Sequence, residues 1–309
     1  MTIKKKILIA PSTFAQTDPV LLDALVQYGF EIIKNPFSRK LNTEELLSFL
    51  PGTHGIIAGL EMLDRAVLEH SDLKVISRCG AGISNVDLVA ARELGIKVFY
   101  TPDAPTNAVA EMVVGGMISL VRNIPQMDRG LHNKQWIKKI GLQIGESTVA
   151  IIGFGRIGRR IAGLLTPFNC KILAVDSNLR GAVDGIKILS LEDALSRADI
   201  VTVHASGKEK ILGDKEFALI KHGAFIINCA RGGVVDEDEL IKALDNGRIA
   251  GAWLDCFSTE PYTGPLTGYP QVLLTPHAAS YTIECRKRME KESVDNLIAG
   301  FRELEGEEI

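Results

Sequence analysis

Short apolar runs alternate with longer amphipathic stretches along most of the chain. Lys6–Ala10 reads as a strand, Pro19–Tyr28 as a helix stopped by Gly29, and Phe30–Lys34 as a second strand. Thr43–Leu50 has a helical pattern, with Thr43 as a candidate cap. Gly55–Ala58, Lys74–Ser77 and Lys97–Tyr100 read as buried strands. A second series follows: Thr148–Ile152 strand, Arg156–Leu165 helix, then strands at Lys171–Val175, Ile200–Val203, Ala224–Ile227 and Val272–Thr275. Apolar runs without polar alternation suit strands covered on both faces, so this pattern predicts an α/β protein with two Rossmann-like, doubly wound parallel sheets. Between the series lies a long helical run, Asn107–Arg122, and Pro102–Pro105 marks the first domain boundary. A last helix, Tyr281–Leu304, begins after the second series is complete.

Composition adds mainly exclusions. A chain of 309 residues is long enough for two domains. With 46% hydrophobic residues, 24% charged residues and a net charge of -3, it gives no reason to expect nucleic acid or an anionic membrane as a partner. The basic start, Lys4 to Lys6, precedes an apolar run too short for a leader and ended by Pro11, and no stretch approaches the roughly 18 apolar residues of a membrane span. Cys79, Cys170, Cys229, Cys256 and Cys285 are odd in number and scattered, which suggests reduced thiols and a cytoplasmic location. The six histidines lack zinc-type spacing, so no metal is expected. Glu303–Glu308 reads as a frayed, solvated tail.

Val149–Ile152 runs directly into Gly153-Phe-Gly155-Arg156-Ile157-Gly158 and then an amphipathic helix. A strand before and a helix after are the context a dinucleotide-binding turn requires. Gly153 allows the tight turn, Gly155 lets backbone N–H groups approach a pyrophosphate, and Gly158 lets helix pack on strand. Asp176, at the end of the next strand, can accept from ribose hydroxyls and repel a 2′-phosphate, which favours NAD over NADP, although Arg180 nearby points the other way.

Three polar residues fall at strand ends or loops of the second series. Arg231 follows Ile226–Ala230, Glu260 sits in the loop after Ala252–Asp255, and His277 follows Thr275-Pro276. Oxidising a hydroxyl-bearing carbon by hydride loss needs a group that takes the hydroxyl proton, and histidine suits that near neutral pH. A bonded glutamate would fix its tautomer and favour the imidazolium, while an arginine would grip a carboxylate or polarise a carbonyl. These three form the candidate catalytic set for a small anionic 2-hydroxy or 2-keto acid.

Together, Arg78-Cys-Gly80-Ala81-Gly82-Ile-Ser-Asn85-Val-Asp87, Asn107-Ala-Val-Ala-Glu111, the glycine turn, Asn228-Cys-Ala-Arg231-Gly-Gly233, Asp255 with Glu260-Pro261, and Pro276-His277 resemble the D-2-hydroxyacid dehydrogenase family, most closely its phosphoglycerate dehydrogenase branch. The resemblance implies a substrate-binding domain of residues 1–103 and 281–309 around a central NAD-binding domain of residues 104–280, with the active site between them. It implies NAD as cofactor, held by Gly153, Gly155, Arg156, Ile157, Gly158 and Asp176, with His204, Ala205, Cys229, Ala230, Asp255 and His277 completing its surroundings. It also implies that Arg78, Ala81, Gly82, Asn107 and Arg231 meet substrate, Ala81 and Gly82 through backbone N–H groups. Asn107 reads equally as a helix cap. Residues 107–136 resemble the region through which such enzymes form homodimers, but the stripe Met112, Val113, Met117, Leu120 reads equally as internal core.

Two departures stand out. After the strand at Gly55–Ala58 the chain has Gly59-Leu60-Glu61-Met62, lacking the basic segment expected for a phosphorylated substrate. After His204 the loop Ala205–Lys210 is shorter than usual, leaving Ser206 as a candidate cofactor contact. No regulatory domain is expected after the last helix. The alternatives to phosphoglycerate chemistry are reduction of hydroxypyruvate, glyoxylate or a phosphonate or sulfonate analogue, or an NADH-sensing, corepressor-like binding protein. Glu260 argues against formate oxidation, which needs no proton uptake.

Overall fold

The apolar runs become strands of two parallel sheets. The computed structural model describes residues 4–16, 18–207 and 209–306; Lys208 of the loop read as shortened, and Glu307 and Glu308 of the acidic end, lie outside them. The chain divides into two compact units, Met1–Pro105 with Tyr281–Ile309, and Thr106–Ser280.

The first unit runs β1 (Lys6–Ile9), α1 (Val20–Gln27), β2 (Glu31–Lys34), α2 (Thr43–Phe49), β3 (Thr53–Ala58), α3 (Arg65–Glu69), β4 (Val75–Arg78), α4 (Leu88–Glu93) and β5 (Lys97–Tyr100). Its strands lie parallel in the order β2-β1-β3-β4-β5. Short polar side chains start the helices. Asp64 accepts from Val67 N–H, and Asp87 accepts from Val89 and Ala90 N–H. The cap of α2 is Asn42 rather than Thr43: its side chain accepts from Glu45 N–H and its own N–H is taken by the Glu45 carboxylate. This reciprocal pair satisfies two end donors at once, which the Thr43 hydroxyl one position later would not do.

The second unit runs α5 (Thr106–Val121), α6 (Ile124–His132), β6 (Thr148–Ile152), α7 (Arg156–Leu165), β7 (Lys171–Val175), the small hairpin β8 (Ala182–Val183) and β9 (Ile186–Lys187), α8 (Leu191–Leu195), β10 (Ile200–Val203), α9 (Asp214–Leu219), β11 (Ala224–Asn228), α10 (Glu237–Asp245), β12 (Ile249–Leu254) and β13 (Val272–Leu274). Its main sheet has the order β13-β12-β11-β10-β6-β7, all parallel. Val113, Met117 and Leu120 of α5 are buried with Val149, Ile151 and Trp253, so most of that apolar stripe is core. Gly116 lets α5 approach the sheet, since a Cβ there would stand 2.2 Å from the Trp253 ring.

The last helix, α11 (Ile283–Glu305), returns to the first unit. Gly300 sits where a Cβ would come 2.7 Å from Val75 and 2.8 Å from Phe99, and Ser77 donates to the Ser293 carbonyl. The buried Glu290 accepts from Arg286 and from Ala15 N–H, tying the loop after β1 to the helix. The helix continues to Glu305 and is closed by Gly306 at φ +77°, so the acidic end is helical to that point, where a frayed tail was expected. Among the described residues, no single helix is long and apolar enough to cross a membrane.

Candidate active site

In the second unit the chain goes from β6 outward to β7 and then back across to β10, so the strand order reverses between β6 and β10. Ligands in open α/β sheets bind outside the carboxyl ends of the strands at such a reversal. The glycine turn after β6 and the segment His204-Ala205 after β10 meet there. Gly153 has φ +91°, and a Cβ on it would stand 2.4 Å from Ala205 N and 2.6 Å from the His204 carbonyl carbon. A Cβ on Gly158 would stand 2.2 Å from the Gly153 carbonyl oxygen. At Gly155, the residue preceding α7, a Cβ would meet nothing within 4 Å. Gly153 and Gly158 are therefore demanded by packing, and Gly155 faces open space at a helix N-terminus, where an anion is stabilised by the end N–H groups and the dipole.

Asp176 accepts from Phe154 N–H at 2.9 Å through one carboxylate oxygen and from Asn178 N–H at 2.8 Å through the other. It thus ties the turn to the end of β7 and retains lone pairs for a ribose. Arg180 donates to the carbonyls of Ser177 and Leu179 at 2.9 and 2.7 Å, so its guanidinium is engaged by its own loop. His204 bonds Thr202 Oγ1 through Nε2, and burial pushes its pKa down to about 3, so the ring is neutral. Its Nδ1 is shielded and has no partner among the described residues. A cradle of glycines, a free acceptor at Asp176 and an unmet polar atom beside them fit a dinucleotide.

The three residues singled out for chemistry come together beyond β11, β12 and β13. Asp255, at the end of β12, is buried and accepts from the Thr275 hydroxyl at 2.6 Å and from Ala278 and Ala279 N–H at 2.8 and 3.0 Å. Its carbonyl takes His277 N–H at 2.8 Å. This clamp holds His277 at φ +52°, a left-handed conformation that costs a non-glycine residue free energy and persists only where the surroundings impose it. The His277 Nδ1–H donates to the Glu260 carboxylate, with the ring nitrogen 3.0 and 3.2 Å from its two oxygens. Glu260 also accepts from Phe257 N–H at 3.1 Å.

The electrostatics follow this geometry. Hydrogen bonding by Cys256 and by Glu260 outweighs burial and raises the His277 pKa to about 10, so the ring is an imidazolium at neutral pH. Burial alone would push Glu260 up, but the His277 bond, the His277 charge, the Phe257 N–H and Arg231 together hold its carboxyl below the usual value. Arg231 is half-buried, with one guanidinium nitrogen donating to the Ala230 carbonyl at 2.7 Å. Asn228 braces its loop, accepting from Ala230 N–H and donating to the Arg231 carbonyl. Gly232 lets this loop lie against the Phe257 backbone, since a Cβ there would stand 1.8 Å from the Phe257 carbonyl oxygen. Two structural parts escaped the sequence reading. Asn228 stands in the sequence only as the first residue of the motif running to Gly233, and the Cys256 thiol lies beside Glu260 and His277, with one ligand atom from each of the three within 4.8 Å of the others. The spacing Cys256-x-x-x-Glu260 was the available signal.

The remaining predicted residues are distributed as follows. Cys229 and Ala230 are buried at the end of β11, and burial, with Asp255 adding to it, pushes the Cys229 thiol well up. Arg156 and Ile157 open α7. Asn107 is exposed in the first turn of α5, which begins at Thr106, so it is not the residue that precedes and caps the helix. Ser206 is exposed. In the first unit, Arg78 is buried with its guanidinium folded back on its own loop, donating to the Cys79 carbonyl at 2.8 Å in space that Gly80 leaves open. Ala81 and Gly82 are half-buried beyond β4, and among the described residues their backbone N–H groups have no acceptor. Glu61 is buried, its carboxylate accepting from Gly59 N–H at 2.7 Å.

Residues 114–279 match the family described as D-isomer specific 2-hydroxyacid dehydrogenase, NAD binding domain. The chain is 33% identical over 299 residues to a D-3-phosphoglycerate dehydrogenase of Sus scrofa, an alignment covering 93% of this chain and 55% of that protein. It therefore spans about half the length of the curated phosphoglycerate dehydrogenases it matches. It is 36% identical over 273 residues to a glyoxylate reductase of Thermofilum pendens, covering 83% of this chain and 80% of that one. Its structure is similar to that of a glyoxylate reductase from Paecilomyes thermophila, with a TM-score of 0.88 at 26% identity over 100% of this chain and 98% of the other.

Proposed function

Since the chain belongs to the D-isomer specific 2-hydroxyacid dehydrogenase family, with the NAD-binding domain of that family as its second unit, we propose that it reduces a small, unphosphorylated 2-keto acid to the D-2-hydroxy acid. The observation that carries this reading is the His277–Glu260 pair, held as imidazolium and carboxylate on one rigid scaffold with Arg231. NADH, when bound, supplies the hydride. His277 holds the proton that the carbonyl oxygen requires, on the ring nitrogen not bonded to Glu260. Glu260 stabilises the charged ring and orients it. Arg231 is always charged and grips the carboxylate or polarises the carbonyl. Asp176, with Arg180 engaged elsewhere, supports NADH over NADPH.

Two observations support an unphosphorylated acid. After β3 the segment Gly59-Leu60-Glu61-Met62 carries no basic residue with which to meet a phosphate. The alignment with a glyoxylate reductase spans most of both chains. The exposed apolar side chains Leu131, Trp136, Ile137 and Ile140 support a homodimer formed through the second unit; Trp136 is 81% and Ile140 100% exposed.

A screen of glyoxylate, hydroxypyruvate, pyruvate, phosphohydroxypyruvate and phosphonate or sulfonate analogues with NADH tests the reading. At least one unphosphorylated acid turns over, and His277→Ala loses about 10²–10⁴-fold in kcat while still binding NADH. Turnover that survives in His277→Ala sinks the proton-transfer role. A clear preference for phosphohydroxypyruvate sinks the unphosphorylated substrate. Tight NADH binding with no turnover on any acid favours an NADH sensor instead.

A further inference from the structure

The proton-transfer pair has a third neighbour, which helps keep His277 charged but holds no proton that passes to the substrate. Cys256 follows Asp255 at the end of β12, is 1% exposed, and has its thiol 3.6 Å from the Ala230 carbonyl oxygen. Its sulfur, a Glu260 carboxylate oxygen and a His277 ring nitrogen all lie within 4.8 Å of one another. We propose that these three side chains form a site for a single Zn²⁺ ion, and that zinc bound there holds the enzyme inactive.

The donor set points to zinc. Thiolate and imidazole are soft and borderline donors that select zinc among the common divalent ions, whereas calcium and magnesium take all-oxygen shells. Zinc bonds of about 2.0–2.3 Å in a tetrahedron put ligand atoms about 3.3–3.8 Å apart, so a cluster whose atoms lie within 4.8 Å of one another needs to close by at most about 1.5 Å. That closure is within reach of side-chain torsions, because the backbones are already fixed. Asp255 clamps the His277 segment and Phe257 N–H holds Glu260. The His277 and Glu260 side chains keep 33% and 34% exposure, which gives an ion an approach to the buried thiol. Three protein ligands leave the fourth position to water. Binding exchanges the thiol proton of Cys256 and one proton of the His277 imidazolium for the metal, so two protons leave as one Zn²⁺ enters. The ring is then a neutral imidazole bound to the ion and the carboxylate is bound beside it, so the imidazolium that the reaction requires as its acid is absent.

The inhibitory half of this proposal rests on the function proposed above, and the binding half does not. Untagged protein is titrated with Zn²⁺ against a chromophoric chelator and, separately, with Co²⁺ in the absence of NADH, reading the thiolate-to-cobalt charge-transfer band. Expected are one zinc per chain, a charge-transfer band, and at least a tenfold loss of zinc affinity in both Cys256→Val and Cys256→Ser, while Cys285→Ser binds as the parent does. Reductase activity, read for each variant as the ratio with and without zinc, falls in the parent, recovers with chelator, and is spared in Cys256→Val. Two variants of different polarity guard against misfolding, and the cobalt spectrum of the parent needs neither. Zinc affinity unchanged in both variants, or a parent cobalt complex without thiolate absorption, overturns the site. A bound zinc that leaves turnover intact overturns the inhibition. A site confirmed in a protein that turns over no keto acid removes the proposed function and leaves the site standing.

Discussion

Replacing Glu260 by glutamine removes one charge and keeps the shape of the pair. The amide oxygen can still accept the His277 Nδ1–H, so the ring keeps its orientation, but its positive charge loses its partner 3.0 Å away. In the parent the His277 pKa stands at about 10, against 6.5 for an ordinary histidine, through hydrogen bonding by Cys256 and by Glu260. An opposite charge at this range moves a pKa by about 1–3 units, so glutamine is expected to bring His277 down to about 8. Reduction needs the imidazolium, and a raised pKa means that form is present at low pH and lost as pH rises through the folded value. At pH 9 the protonated fraction therefore drops from about 0.9 to about 0.1, roughly a tenfold fall in kcat/KM, while at pH 6 the protonated fractions barely differ. The assay is the pH profile of kcat/KM for keto acid reduction, whose falling limb should move down by about two units. A limb at the same pH in both proteins would refute the coupling. The same pair stabilises the fold most fully between the ordinary glutamate and histidine values; the contribution fades as pH rises toward 10 and as pH falls below the ordinary glutamate value.

Asp176→Ala removes the acceptor at the end of β7 and is expected to shift the ratio of kcat/KM for NADH over NADPH toward NADPH by about tenfold or more, some 1.4 kcal/mol. An unchanged ratio would mean that Asp176 only braces Phe154 N–H. Ile140→Asp puts a charge at the fully exposed Ile140, beyond α6 and close in sequence to the exposed Trp136 and Ile137. Light scattering should then report monomer for the variant and dimer for the parent; a parent that is itself monomeric refutes the dimer.

Much of this protein is legible in its sequence, for reasons that are local. The strand β6, the glycine turn and the start of α7 lie within one continuous segment, and φ +91° at Gly153 is a demand that only a few residue types meet. Buried parallel strands betray themselves as unbroken apolar runs, so β6 and β10 fall at the expected residues; β5 and β7 also do, but they end their sheets, and β5, expected to be buried, is only half-buried with Tyr100 exposed. Helix ends are decided by pairs of side chains and backbone groups, which is why Asn42 with Glu45 displaces Thr43 as a cap and why α11 reaches Glu305 before Gly306 stops it.

Only the folded chain decides what the loops do to one another. Asp255, Glu260 and His277 come from the ends of β12 and β13, and nothing local sets the bonds by which Asp255 clamps the segment carrying His277. Arg78 could have presented its charge outward, but Gly80 leaves it room to fold back on its own loop. Cys256 looks in sequence like one more scattered thiol. Burial at the end of β12 places its sulfur against the imidazole and carboxylate, and that proximity across separate loops is a property of the tertiary structure alone.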